Sequence, residues 1–152
     1  MSIVFVGEAP SKPNVHAFWP FLPGSGRRLA MLLGMESDEF WSWRNRNGVV
    51  LINLFGEPVG GWNPGLAVDK SLIICQEYLR VGPGLPRWDL VMLGRRVAEA
   101  FQDDRDYFEV RVTEQGNRAV VVPHPSGRCR VWNDKKNVRK FRKVMMELGA
   151  IP

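Results

Sequence analysis

Three polar residues close apolar runs in this chain. Ile3-Val4-Phe5-Val6 leads through Gly7 to Glu8, Val49-Val50-Leu51-Ile52 leads to Asn53, and Ala119-Val120-Val121-Val122 leads through Pro123 to His124. A carboxylate accepts protons, an amide both donates and accepts hydrogen bonds, and an imidazole changes charge near neutral pH. Gathered at one end of a sheet, the three would orient a polar ligand and answer charge developing on it. His124 is one of only two histidines, and prolines on both sides restrict its backbone. Ser126 and Gly127 then allow a sharp turn. Bland readings stand beside these: His124 capping a turn, Asn53 capping a strand end, and Glu8 accepting N–H groups that tie its own loop together.

The elements that must position these residues alternate along the chain. Solid apolar runs at 3–6, 49–53 and 89–93 read as strands buried on both faces. Ser25 is placed to cap a helix running to Gly34, and Ser37 opens a short second one. Residues 66–80 have helical spacing, and Gly94 opens a helix to about Phe101. Residues 107–113 alternate and read as a strand or an edge hairpin with 118–122. Asn133 or Asp134 caps a final basic helix ending near Leu148. The pattern predicts an α/β fold: three layers, α/β/α, around a central four-stranded, mostly parallel sheet. Three loops, 7–24, 53–64 and 124–133, then converge at the strands' carboxyl ends, where open α/β sheets bind ligands.

Composition narrows the class. With 152 residues, 45% hydrophobic and 24% charged, the chain reads as one globular domain spanning 1–152. A net charge of +5 favours an anionic partner, nucleic acid first, although a basic protein need not bind a polyanion. Cys75 and Cys129 form no CxxC pair and are too few for a cysteine-only metal or iron–sulfur site, so neither metal nor cofactor is expected. No apolar stretch approaches the ~18 residues a membrane span needs. The chain starts on a strand without a signal-peptide pattern, and a cytoplasmic monomer is expected. Neither GxGxxG nor GxxxxGK[ST] occurs, which disfavours a nucleotide-dependent small-molecule enzyme.

Gly7-Glu8-Ala9-Pro10-Ser11 after the first strand, with His124-Pro125-Ser126-Gly127 after the last, resembles the uracil-DNA glycosylase superfamily. The nearest flavour is the thermophile-type (family 4) enzymes and related members whose first motif reads Gly-Glu-Ala-Pro. Pro20-Phe21-Leu22-Pro23-Gly24-Ser25-Gly26-Arg27 resembles that family's Pro-Phe loop entering the first helix. Val50-Leu51-Ile52-Asn53 resembles its pyrimidine-reading strand, and Val91-Met92-Leu93-Gly94 the strand-to-helix turn between them. Order and spacing hold over nearly the whole chain.

The resemblance implies a monofunctional DNA glycosylase that hydrolyses the N-glycosidic bond of uracil or a modified pyrimidine flipped out of DNA. Phe21 would stack on the extruded ring, Asn53 would read its O4/N3 edge, and Gly7 and Ala9 would line the base site. His124 would stabilise the departing base anion, and Glu8 would position ligand or water. The Asp that orients water in the Gly-Gln-Asp-Pro version of the first motif is replaced here by Ala9, and the cluster cysteines of the thermophile-type enzymes are missing. The loop Leu54-Phe55-Gly56-Glu57-Pro58, with Phe18, Trp19 and Trp62, departs from the family's Cys-Arg-Pro loop and would shape a pocket for something other than plain uracil. For DNA contact the expected residues are Ser126, Arg128 and Arg130 after His124, Arg27 at the first helix, and Lys136 and Lys140 on the last helix. A solvated basic helix face explains the last pair equally well. The alternative function is a non-hydrolytic binder of DNA or modified bases on the same fold.

Overall fold

The computed structural model describes residues 2–10, 12, 15–80 and 82–152. Ser11 of the first motif therefore lies outside the described residues, as does Asn14 beside His16. Among the described residues the elements run β1 (Ser2–Gly7), α1 (Ser25–Leu33), α2 (Ser37–Arg46), β2 (Val49–Asn53), α3 (Pro64–Tyr78), β3 (Trp88–Leu93), α4 (Arg95–Ala100), β4 (Arg111–Val112), β5 (Arg118–Val122) and α5 (Lys135–Glu147). A 3-10 turn at Arg130–Asn133 precedes α5.

The strands make one sheet in the order β2-β1-β3-β5-β4. β1 pairs in parallel with β2 and β3, and β3 in parallel with β5. The sheet thus has five strands where four are expected, and is mostly parallel. The fifth, β4, adds antiparallel to β5 through Arg111–Ala119 and Val112–Arg118. It is far shorter than the expected 107–113 strand. Phe108 turns to φ 68, which breaks the extended backbone, and Tyr107 makes only an isolated parallel bridge to Val121.

Apolar alternation sorts β1 between two cores, because successive strand residues face opposite sides. Ile3 and Phe5 pack with Leu29, Phe40, Trp43, Phe141 and Leu148 from α1, α2 and the α5 region. Val4 and Val6 pack with Ala67, Ile74, Val97 and Ala98 from α3 and α4. All four β1 side chains are 0% exposed, which is why the run carries no polar residue.

Helix starts differ slightly from the sequence reading. Gly24, not Ser25, is the N-cap of α1; Ser25 is its first helical residue, and the cap makes no side-chain hydrogen bond. α3 begins two residues early at Pro64, because Asn63 Oδ1 accepts the Leu66 N–H at 3.0 Å and proline suits the first helical position. Asp134 caps α5 by accepting the Lys136 N–H at 2.8 Å. Among the described residues no helix is long and apolar enough to cross a membrane.

Candidate functional site

Because β1, β2, β3 and β5 run in parallel, their carboxyl ends at Gly7, Asn53, Leu93 and Val122 lie along one edge of the sheet. Gly7 is in register with Asn53. The loops that follow are tied together: Leu54 donates its N–H to Gly7 O at 2.8 Å and Phe55 to Glu8 O at 3.1 Å. On the other side, Gly94 donates to Val122 O at 2.8 Å and its backbone lies directly under His124. Glu8, Asn53 and His124 are brought to one rim.

Gly7 is a close-approach position. A Cβ added there would overlap both Asn53 Oδ1 and Phe18 Cζ, so the amide and the ring meet over a bare backbone. Asn53 is half-buried, and among the described residues its side chain has no hydrogen-bond partner. A side-chain amide can offer a ligand two donors and an acceptor.

Phe18 is 7% exposed and holds φ 55, a left-handed conformation that bulky residues rarely adopt. Two features hold it. Arg44 on α2 donates to Ala17 O at 2.7 Å and to Leu51 O at 3.2 Å, joining the Phe18 loop to the end of β2. Gly26 packs so tightly on the Phe18 and Trp19 carbonyls that a Cβ would overlap them. Phe21, the expected stacking ring, sits elsewhere: it is 40% exposed and meets Trp19 and Trp41 edge-on. The ring beside Gly7 and Asn53 is therefore Phe18. Only Trp19 and Pro20 separate the two phenylalanines, and Phe21 is the one that the resemblance to the Pro-Phe loop favours.

His124 is half-buried between buried Pro123 and Pro125. Its Nδ1 accepts the Ser126 N–H at 3.1 Å, and its carbonyl accepts the Trp132 indole N–H at 2.9 Å. Burial lowers the imidazole below its usual value, and the Glu8 carboxylate opposes this more weakly. A neutral ring with Nδ1 accepting carries its proton on Nε2. That makes it a hydrogen-bond donor.

Glu8 is held by Arg96 at 3.0 Å; their side chains are 26% and 56% exposed. The Arg96 guanidinium also lies 5.5 Å from the Trp62 ring centre, and Trp62 meets Phe55 edge-on. Arg96 is not singled out by the sequence, although its place as the second residue of the helix after Gly94 is a usable signal. Arg44 had none, since an arginine on a short polar helix reads as solvent-facing. Ala9 packs against the α3/α4 core.

Arg27, Arg128, Arg130, Lys136 and Lys140 are all exposed, and Ser126 is half-buried. Lys140 lines a groove with Tyr107, Phe108 and Glu109 at the β4 edge. Arg142 is committed to structure: it donates to Leu32 O at 2.9 Å at the end of α1. Among the described residues no three His, Cys, Asp or Glu side chains gather as a metal site.

Comparison with protein-family models gave no match, and comparison with curated proteins gave none either.

Proposed function

We propose that this chain is a DNA glycosylase that hydrolyses the N-glycosidic bond of uracil or a modified pyrimidine extruded from DNA. The observation that carries the reading is the meeting of Phe18, Asn53 and Gly7 on the rim that also holds a donating His124. A flat ring, an unsatisfied amide and a bare backbone suit a planar heterocycle with a donor–acceptor edge. An α/β fold with a mostly parallel sheet, packed by helical residues on both faces, is compatible with it.

Extruding a nucleotide costs a few kcal/mol, and stacking on Phe18 recovers about 1–3 kcal/mol. The Asn53 amide pairs with the O4/N3 edge. As the C1′–N1 bond breaks, its electron pair moves onto the base and the sugar becomes oxocarbenium-like. His124 Nε2–H donates to the base O2, where that charge accumulates. Water then adds to C1′ and loses a proton, the base anion takes up a proton from solvent, and the products are a neutral free base and an abasic site. Glu8 borders the rim, its carboxylate engaged by Arg96. Arg128, Arg130, Arg27, Lys136 and Lys140 serve the phosphates.

A second reading has a specific observation behind it. Ala9 supplies no carboxylate for water, and Glu8 is already paired. A non-hydrolytic binder of modified bases would keep Phe18, Asn53 and His124 and need neither.

End-labelled oligonucleotides bearing uracil, hydroxymethylated or glucosylated pyrimidines, treated with protein and then alkali, test the choice. Alkali-dependent scission on at least one is expected. Scission on none would overturn the glycosylase, and a shifted complex lost in Asn53→Ala would then favour the binder.

A further inference from the structure

Beside Phe18, four rings gather on the surface. His16 stacks on Trp19 with centroids 5.8 Å apart and an interplanar angle of 29°. Trp19 meets Trp41 at 4.9 Å and Phe21 at 5.0 Å, both edge-on. The Arg44 guanidinium lies 5.3 Å from the Trp41 ring centre. This is not an arm of the core. His16 and Phe21 are exposed, Trp19 and Trp41 are half-buried, and none of the four belongs to either core cluster.

Flat aromatic faces next to cations are what unpaired bases stack on, whereas a duplex keeps its bases stacked on each other. The charges nearby fit a strand running past. Lys12 lines a small cavity with His16 and Trp19, and the start of α1, which carries Arg27 and Arg28, lines the same cavity. Asp38 stands one helical turn before Trp41 and disfavours a phosphate on that ring, so the ring takes a base. Trp19 also follows Phe18 directly, and that backbone bears one ring over Gly7 and the next in the surface cluster.

We propose that the His16–Trp19–Phe21–Trp41 cluster is a stacking site for an unpaired base neighbouring the extruded nucleotide, which makes single-stranded DNA the preferred substrate. The inference rests on the glycosylase reading for the extruded nucleotide only, since the cluster binds undamaged strands too.

Fluorescence anisotropy with labelled dT12, single-stranded or paired to dA12, tests it at one fixed salt concentration. The wild-type chain should hold the single strand more tightly. Trp41→Leu should weaken that binding by roughly five- to a hundredfold and change duplex binding by less than about twofold. Trp41→Phe, which keeps a ring, should restore most of the affinity and guards against misfolding as the cause. Equal loss on both DNAs, or Trp41→Leu binding dT12 like wild type, would overturn the stacking site. Because dT12 has no excisable base, these outcomes are separate from excision: a chain that excises nothing yet needs Trp41 for dT12 keeps the stacking site and loses the glycosylase.

Discussion

Ser126 donates its backbone N–H to His124 Nδ1 at 3.1 Å, and this assigns the imidazole proton to Nε2. The loop thereby presents a donor rather than a base, which matches stabilising an anion and not activating water. Burial lowers the His124 value below 6.5, with Glu8 pulling weakly the other way. Excision should therefore persist as pH falls past 6.5, and its acid limb should lie below the ordinary histidine range. Base release measured from pH 5 to 8 checks this.

The same shift has a stability consequence. Between the folded value and 6.5 the unfolded chain binds more protons than the native one, so stability falls as pH drops through that window. Above 6.5 the effect vanishes. His124→Gln removes it, so urea midpoints for variant and wild type should draw together or cross in the variant's favour on going from pH 7.5 to pH 5.

Gly7→Ala forces a methyl into the space of Asn53 Oδ1 and Phe18. Overpacking of this kind costs about 1–3 kcal/mol. Both groups belong to the proposed base site, so excision should fall by more than about tenfold even where thermal unfolding shows the variant folded.

Phe18 and Phe21 should separate kinetically. Losing a ring stacked on the extruded base forfeits about 1–3 kcal/mol. Phe18→Ala should therefore lower the single-turnover rate at saturating DNA by roughly tenfold or more. Phe21→Ala should leave that rate near wild type and raise the DNA concentration needed to saturate. The reverse pattern would return the stacking role to Phe21.

Arg118→Met probes the scaffold alone. Asp89 on β3 is 5% exposed, and Arg118 on β5 pairs with it through two guanidinium nitrogens while its backbone N–H donates to the same carboxylate at 3.1 Å. Leaving a buried acceptor short of partners costs about 1–3 kcal/mol or more for a charged group. The urea midpoint should drop accordingly, with the single-turnover rate unchanged because this pair lies at the opposite end of β3 from Leu93.

The parallel strands were legible because each is built on an apolar run, three of which lead into a polar residue, and a parallel sheet then brings Glu8, Asn53 and His124 to one edge. Edge strand β4 was legible as a hairpin with β5 but not in its length, since Phe108 breaks the alternation with a backbone turn that no residue type announces. The amide and the histidine could be read from where their strands stop. The ring could not: Phe18 is placed by Arg44 clamping Ala17 and by α1 packing through Gly26, contacts between segments distant in sequence. Arg96 reaches Glu8 across 88 residues, a pairing that only the β1–β3 register creates.

The central claim is that His124, Asn53 and Phe18 release a base from DNA. Single-turnover release of free pyrimidine from a uracil-containing single-stranded oligonucleotide, followed by mass spectrometry, tests it most directly, with hydroxymethylated and glucosylated pyrimidines as parallel substrates. Wild type should release the base from at least one, and His124→Ala should slow it by about a hundredfold or more while remaining folded. Release at equal rates by both proteins, or by neither on any substrate, would contradict it.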